Sequence, residues 1–209
     1  MRNRIRTGVG LVLLASLAGC SWLIPFALMQ EHKRKVPAEF ARLEGKRTLV
    51  TVWAPPETLF DYPRVRLELT SFIVDKLKAE VKSIHVVDPV KVEDHIQRTL
   101  SVDVDPQRLG RQFGVDMVVY LELLEFHIRD PHVPDLVQAR IRASVQVYDL
   151  TADADEPRSY ELTSVDITEP ESGPQLMTQA NVVQVRRAAY VKFAEAVARK
   201  FYTWEEIIE

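Results

Sequence analysis

A single thiol is available for chemistry in this chain: Cys20 is its only cysteine, and it follows Leu17, Ala18 and Gly19. One cysteine alone closes no intrachain disulfide and builds no thiolate zinc site. The small residues Ala18 and Gly19 let an extended backbone enter a peptidase, and the thiol that follows can be alkylated. Other groups capable of chemistry are scattered. His32, His85, His95, His127 and His132 offer no pair at metal-ligand spacing on one helix face. A zinc site from His127, Asp130 and His132 can be drawn, but surface or loop histidines account for the same spacing. Asp103-Val104-Asp105 and Asp153-Ala154-Asp155-Glu156 lack the repeated oxygen ligands and the glycine of a calcium loop. Glu122 and Glu125 sit an odd number of residues apart on one expected strand, which places them on opposite faces and separates them as a carboxylate pair. Phosphate-binding loops, nucleophile elbows and His-Glu-x-x-His helices are absent from the sequence. No catalytic residue, metal ligand or cofactor follows from these patterns.

The residues ahead of Cys20 give it a context. Arg2, Arg4 and Arg6 form a cationic start, and Gly8 to Ala15 an apolar run. That run is too short for a bilayer, which needs about 20 residues. Leu17-Ala18-Gly19-Cys20 resembles the lipobox of bacterial lipoproteins at all four positions. The resemblance implies a signal peptide at 1–19, removed on export, and a diacylglyceryl group on Cys20. Ser21, where Asp would signal inner-membrane retention in well-studied envelopes, resembles an outer-membrane address. The expected setting is an exported lipoprotein on the periplasmic face of the outer membrane.

Charge points away from nucleic acid. The chain has 27 Lys+Arg against 30 Asp+Glu, net −3; without residues 1–19, which hold three arginines and no acid, the balance falls to −6. Nucleic-acid binding rests on a basic surface, which an acidic lipid-anchored chain does not offer. Residues 20–46 read as a lipidated tether. Trp22 to Met29 make an apolar patch, followed by Glu31, His32, Lys33, Arg34 and Lys35. Such a patch either lies at the membrane interface or docks on the domain.

A single α/β domain is expected over 47–209. Thr48 to Trp53 reads as a buried first strand, and Ala54 to Pro63 as a loop. The stripe Val65, Leu69, Phe72, Ile73, Leu77 and Val81 predicts a helix from Pro63 to Lys82. A strand at Ile84 to Val87 and short helices at Lys91 to Arg98 and Pro106 to Phe113 come next. Asp105 suits the N-cap, Pro106 the first turn and Gly114 the C-cap. Strands follow at Met117 to Ile128, Val137 to Tyr148 and Ser159 to Thr168. Gln175 to Trp204 reads as one long helix with Tyr190, Phe193, Ala194, Val197, Phe201 and Trp204 inward. The order is βα-βαα-βββ-α. It implies a mixed sheet of about five strands, parallel at first and then antiparallel, covered by the final helix.

Two stretches carry a likeness beyond this order. Leu109-Gly110-Arg111-Gln112-Phe113-Gly114-Val115-Asp116, leading into Met117 to Glu122, resembles a segment of the curli-secretion (CsgG-like) lipoproteins and relatives with a TolB-N-terminal-like fold. Val145 to Thr151 is similar to that family's second meander strand, ending in Asp149 before a polar turn. The resemblance implies this fold and an envelope setting. The family includes a pore-forming channel built with long amphipathic insertions, for which residues 47–204 leave no room.

The loop Ala54 to Pro63 leaves the carboxyl end of the first strand, where α/β sheets tend to bind ligands. Trp53, Phe60 and Tyr62 stand there beside three prolines, which lower the entropy lost on contact. They either cap their own core or bind a partner. The expected function is a non-enzymatic scaffold or regulator that binds an envelope protein and is held to the membrane by its lipid. An accessory subunit of an oligomeric secretion assembly and a hydrolase with a dispersed site are the alternatives. The first test is chemical. Cys20→Ala should abolish incorporation of labelled palmitate and membrane fractionation; equal labelling of variant and parent would remove the lipoprotein reading.

Overall fold

The apolar runs at Thr48 to Trp53 and Met117 to Glu122 suit strands covered on both faces. In the computed structural model they pair in parallel, from Thr48 with Met117 to Trp53 with Glu122. The structure describes residues 32–99, 104–130, 133–151 and 158–208. The expected signal peptide, Cys20, His132 and most of the turn at 151–157 lie outside these residues.

One unit spans Pro37–Trp204. Its elements are β2 (Arg47–Trp53), α1 (Pro56–Asp61), α2 (Val65–Glu80), β3 (His85–Val86), α3 (Pro89–Thr99), α4 (Pro106–Phe113), β4 (Met117–Arg129), β5 (Leu136–Asp149), β6 (Arg158–Glu169), β7 (Gln175–Leu176) and α5 (Gln179–Ala198). The strands form a six-stranded mixed sheet in the order β3-β2-β4-β5-β6, with β7 pairing β5. β2 is parallel to β3 and β4, while β4, β5 and β6 form an antiparallel meander. The crossovers through α2 and through α3 with α4 allow the parallel pairs. Among its described residues the second unit is a two-stranded ribbon of β1 (His32–Val36) and β8 (Trp204–Ile208, whose first residue belongs to the main unit), tied by Lys33–Glu205 at 3.7 Å and Arg34–Glu206 at 2.6 Å.

Three differences from the sequence reading have local causes. The main unit starts ten residues before 47, because Phe40 and Leu43 are buried in its core. Phe40 also donates its backbone N–H to Lys200 O at 2.8 Å. The final helix is shorter at both ends: Gln175–Leu176 pairs with β5, and Trp204 opens β8 under the Arg199 guanidinium. Thirdly, Leu124 is bulged out of the β4–β5 ladder between Leu123 and Glu125. The extra residue reverses the alternation. Glu122 pairs with Ser144 and Glu125 with Arg142, so the two carboxylates share a face, not opposite faces.

Helices α2 and α5 cover one side of the sheet. Val65, Leu69, Ile73 and Leu77 of α2 and Ala189, Phe193, Val197 and Ala198 of α5 are buried against Val50, Val52, Val119, Leu121, Ile141 and Val145. On the other side α3 and α4 pack through Val92, Ile96 and Leu109 on Leu49 and Val118. Arg66 of α2 and Glu93 of α3 join at 2.6 Å. The alternation of β5 is as expected: Ile141, Ala143, Val145 and Val147 are fully buried, with Arg140, Arg142, Ser144 and Gln146 opposite. Among the described residues no helix is long and apolar enough to cross a membrane.

The segment around Gly110 shows why glycine is needed there. Asp105 caps α4 by accepting from the N–H groups of Gln107 and Arg108, and Gly114 ends it at φ 60°. Gly110 itself faces the sheet. A Cβ there would run into Val118 Cγ2 and stand 2.5 Å from Leu150 Cδ1. Leu150 could rotate, but the β-branched Val118 is stiff and fully buried. Gly110→Ala should therefore destabilise the domain despite alanine's better helix propensity, by about 1–3 kcal/mol as for other overpacked sites. Urea unfolding reads this directly, and an unchanged midpoint would show that α4 stands further from β4.

Candidate functional site

β2 and β4 run in parallel, so their carboxyl ends emerge at the same pole of the main unit. The first feeds Ala54, Pro55 and α1; the second ends at Ile128 and Arg129. Pro55 and Pro56 start α1, a helix of six residues with Pro at its first turn. Part of the expected loop is thus helical. Its end is fixed: the Tyr62 N–H donates to Thr58 O at 2.8 Å, and Tyr62 O accepts from Val65 N at 3.0 Å.

The three aromatic residues singled out from sequence take different places. Phe60 is 87% exposed. Tyr62 is half-buried, with its ring edge-on to Phe126 at a centroid distance of 4.9 Å. Phe126 continues to Tyr190 at 6.2 Å, and Tyr190 to Phe72 at 5.7 Å, forming an aromatic row into the core. Trp53 does not join them. It follows Leu49 and Thr51 on the side of the sheet that carries α3 and α4, whereas Tyr62 packs against the core under α2 and α5. The sheet separates Trp53 from Tyr62.

Beside Tyr62 lies a cleft. Its larger lobe, about 500 Å³, is lined by Asp61, Tyr62, Ile128, Arg129, Val182 and Arg186. A lobe of about 150 Å³ shares Asp61, Tyr62 and Arg186 and adds Arg64 and Glu68. A third, about 280 Å³, runs from Arg129 and Val182 to Met177 and Val183. Under the cleft the Tyr190 hydroxyl is enclosed without a well-formed hydrogen bond. Burial, then the nearby Glu68 carboxylate, pushes its pKa far above the usual phenol value, so it stays protonated. Phe60, Leu176, Met177 and Val183 are exposed apolar side chains of α1, β7, the connection after β7 and the start of α5.

A different cluster occupies the polar side of the meander. Glu125 lies 3.5 Å from Arg140, 3.3 Å from Arg142 and 3.7 Å from His127, and Arg140 pairs with Asp166 at 3.1 Å. The hydrogen bond from Arg140 to Asp166 raises the guanidinium pKa further. These groups satisfy one another as a cross-strand ladder. Among the described residues no cluster of three or more His, Cys, Asp or Glu could hold a metal ion.

Sequence reasoning found the loop and missed the opposite wall. Arg129 and Arg186 stand 57 positions apart, and no spacing rule joins the end of a strand to a turn of a distant helix. The only available signal was general: a conserved geometry of α/β sheets favours the carboxyl ends of strands.

No known protein family matches the chain, and no curated protein does. Solved structures with a similar course include the PelC dodecamer from Paraburkholderia phytofirmans, at 11% identity over 82% of this chain and 97% of that one, TM-score 0.46. The lipoprotein GNA1162 from Neisseria meningitidis is 16% identical over 71% of this chain and 98% of its own, TM-score 0.39. A putative lipoprotein from Caulobacter crescentus is 13% identical over 72% and 82%, TM-score 0.33.

The two loop aromatics should separate in a stability experiment. Phe60→Ala should change the unfolding free energy by less than about 0.5 kcal/mol, as at other exposed sites. Tyr62→Ala breaks the aromatic row and should cost about 2–4 kcal/mol, short of a fully buried aromatic. Equal losses in urea unfolding would mean that Phe60 packs on its own domain.

Proposed function

We propose that this chain is a lipid-anchored protein of the bacterial envelope, attached through Cys20, that binds another envelope protein as a non-enzymatic scaffold or regulator of assembly or secretion. The lipobox at Leu17 to Cys20 and the order shared with curli-secretion lipoproteins support the setting. The binding role is carried by one observation: Phe60 is 87% exposed on a helix whose two ends are held by prolines and by Tyr62. A large rigid aromatic left in solvent is the usual form of an interface anchor, because little entropy remains to be lost on contact. The cleft beside it adds area and charge to the same pole. The reading takes the chain to its anchoring membrane by the lipid and to its partner by the pole that carries α1.

A photoreactive residue at position 60 tests this in intact cells. It should give a discrete adduct with one envelope protein, whereas a probe at Val191, also exposed but on the outer face of α5, should give none. Phe60→Ala should weaken co-purification of the adduct partner at least tenfold, in the range of hot-spot losses. Identical labelling from both positions, or none from position 60, would remove the docking role.

A further inference from the structure

The cleft beside Phe60 has a chemistry of its own. Arg129 and Arg186 both line the larger lobe, and neither guanidinium makes a hydrogen bond or an ion pair with any described residue. Around the two lobes that share Asp61 and Tyr62, Arg64, Arg129 and Arg186 accompany Asp61 and Glu68, which leaves one positive charge in surplus. That surplus balances a monoanion; a phosphate dianion would remain undercompensated. Two guanidiniums with no partner among the described residues suit a carboxylate, which accepts their forked donors in parallel. The remaining walls are apolar: Tyr62, Ile128 and Val182, continued by Met177 and Val183. A volume of about 500 Å³ falls within the range of specific ligand sites, roughly 300–1,000 Å³.

We propose that this cleft captures the free C-terminal carboxylate of a polypeptide that ends in an apolar side chain. The carboxylate sits between Arg129 and Arg186, and the last side chain lies on Ile128, Val182 and Tyr62. Asp61 decides for a peptide over an acyl chain. Asp61 lines both lobes, and an acyl chain laid over its carboxylate would strip water without replacement, whereas a peptide N–H can donate to it. The inference rests on the reading of this pole as a docking surface and names the part of the partner that enters it.

The test uses the full chain and two synthetic hexapeptides ending in Val-Leu, identical except that one has a free C-terminal carboxylate and the other an amide. Calorimetric titration should show the acid binding at least about tenfold tighter, as expected for a charge-assisted hydrogen bond. Arg129→Gln and Arg186→Gln should each remove most of that preference. Arg129 is exposed, so its variant decides the matter should the Arg186 variant fail to fold. Equal affinity for acid and amide, no binding of either, or a preference that survives Arg129→Gln overturns the proposal. Crosslinking from position 60 is independent of the titration. An adduct without an acid preference leaves the docking role and removes the carboxylate; a preference without an adduct does the reverse.

Discussion

The parallel register of β2 on β4, from Thr48–Met117 to Trp53–Glu122, is the constraint on which the rest of the main unit depends. It aligns Val50 and Val52 with Val119 and Leu121 beneath α2 and α5, and Leu49 with Val118 beneath α3 and α4. A shift by one residue would turn every one of these side chains to the wrong layer. The same register ends β2 opposite Glu122, so α1 follows beside the stretch of β4 that runs on to Arg129, and the two border the cleft. Gly110 acts on this arrangement from the outside: only a residue without a side chain lets α4 approach Val118 closely enough to close the second layer.

Where local chemistry decides structure, the sequence was legible. Asp105, Pro106 and Gly114 mark the two ends of α4 through an N-cap, a first-turn proline and a left-handed C-cap. The alternation in β5 names its buried side residue by residue. Periodicity places α2 within two residues at each end. The fold class followed from the order of these elements. What remained hidden depends on partners distant in sequence. Leu124 resembles any other apolar strand residue, and only the spacing of its neighbours on β5 expels it and brings Glu122 and Glu125 to one face. Trp204 fits a helical stripe, yet strand pairing takes it into β8. Phe60 and Tyr62 were found together as a loop pair, but their opposite exposures come from Phe126, which sits 64 positions beyond Tyr62.

The ion pairs differ in what they do. Those of the meander, Glu125 with Arg140 and Arg142 and Arg140 with Asp166, are exposed enough to contribute little stability. Their value lies in register, since a slipped β5 would place arginine opposite arginine or an apolar residue in water. Arg66–Glu93 is more enclosed and couples α2 to α3 across the edge of the sheet. Removing one partner there would leave a poorly solvated charge between the two helical layers.

Helix α5 fixes a distance. The chain enters the main unit beside its C-terminal end, where Phe40 bonds to Lys200 O, while Val182 and Arg186 of its first turns form a wall of the cleft. At 1.5 Å of rise per residue the two levels stand roughly 20–27 Å apart. A helix packed on the sheet between entry point and cleft keeps that separation fixed. Whatever holds the entry end, the opposite pole is carried clear of it by most of a domain's width.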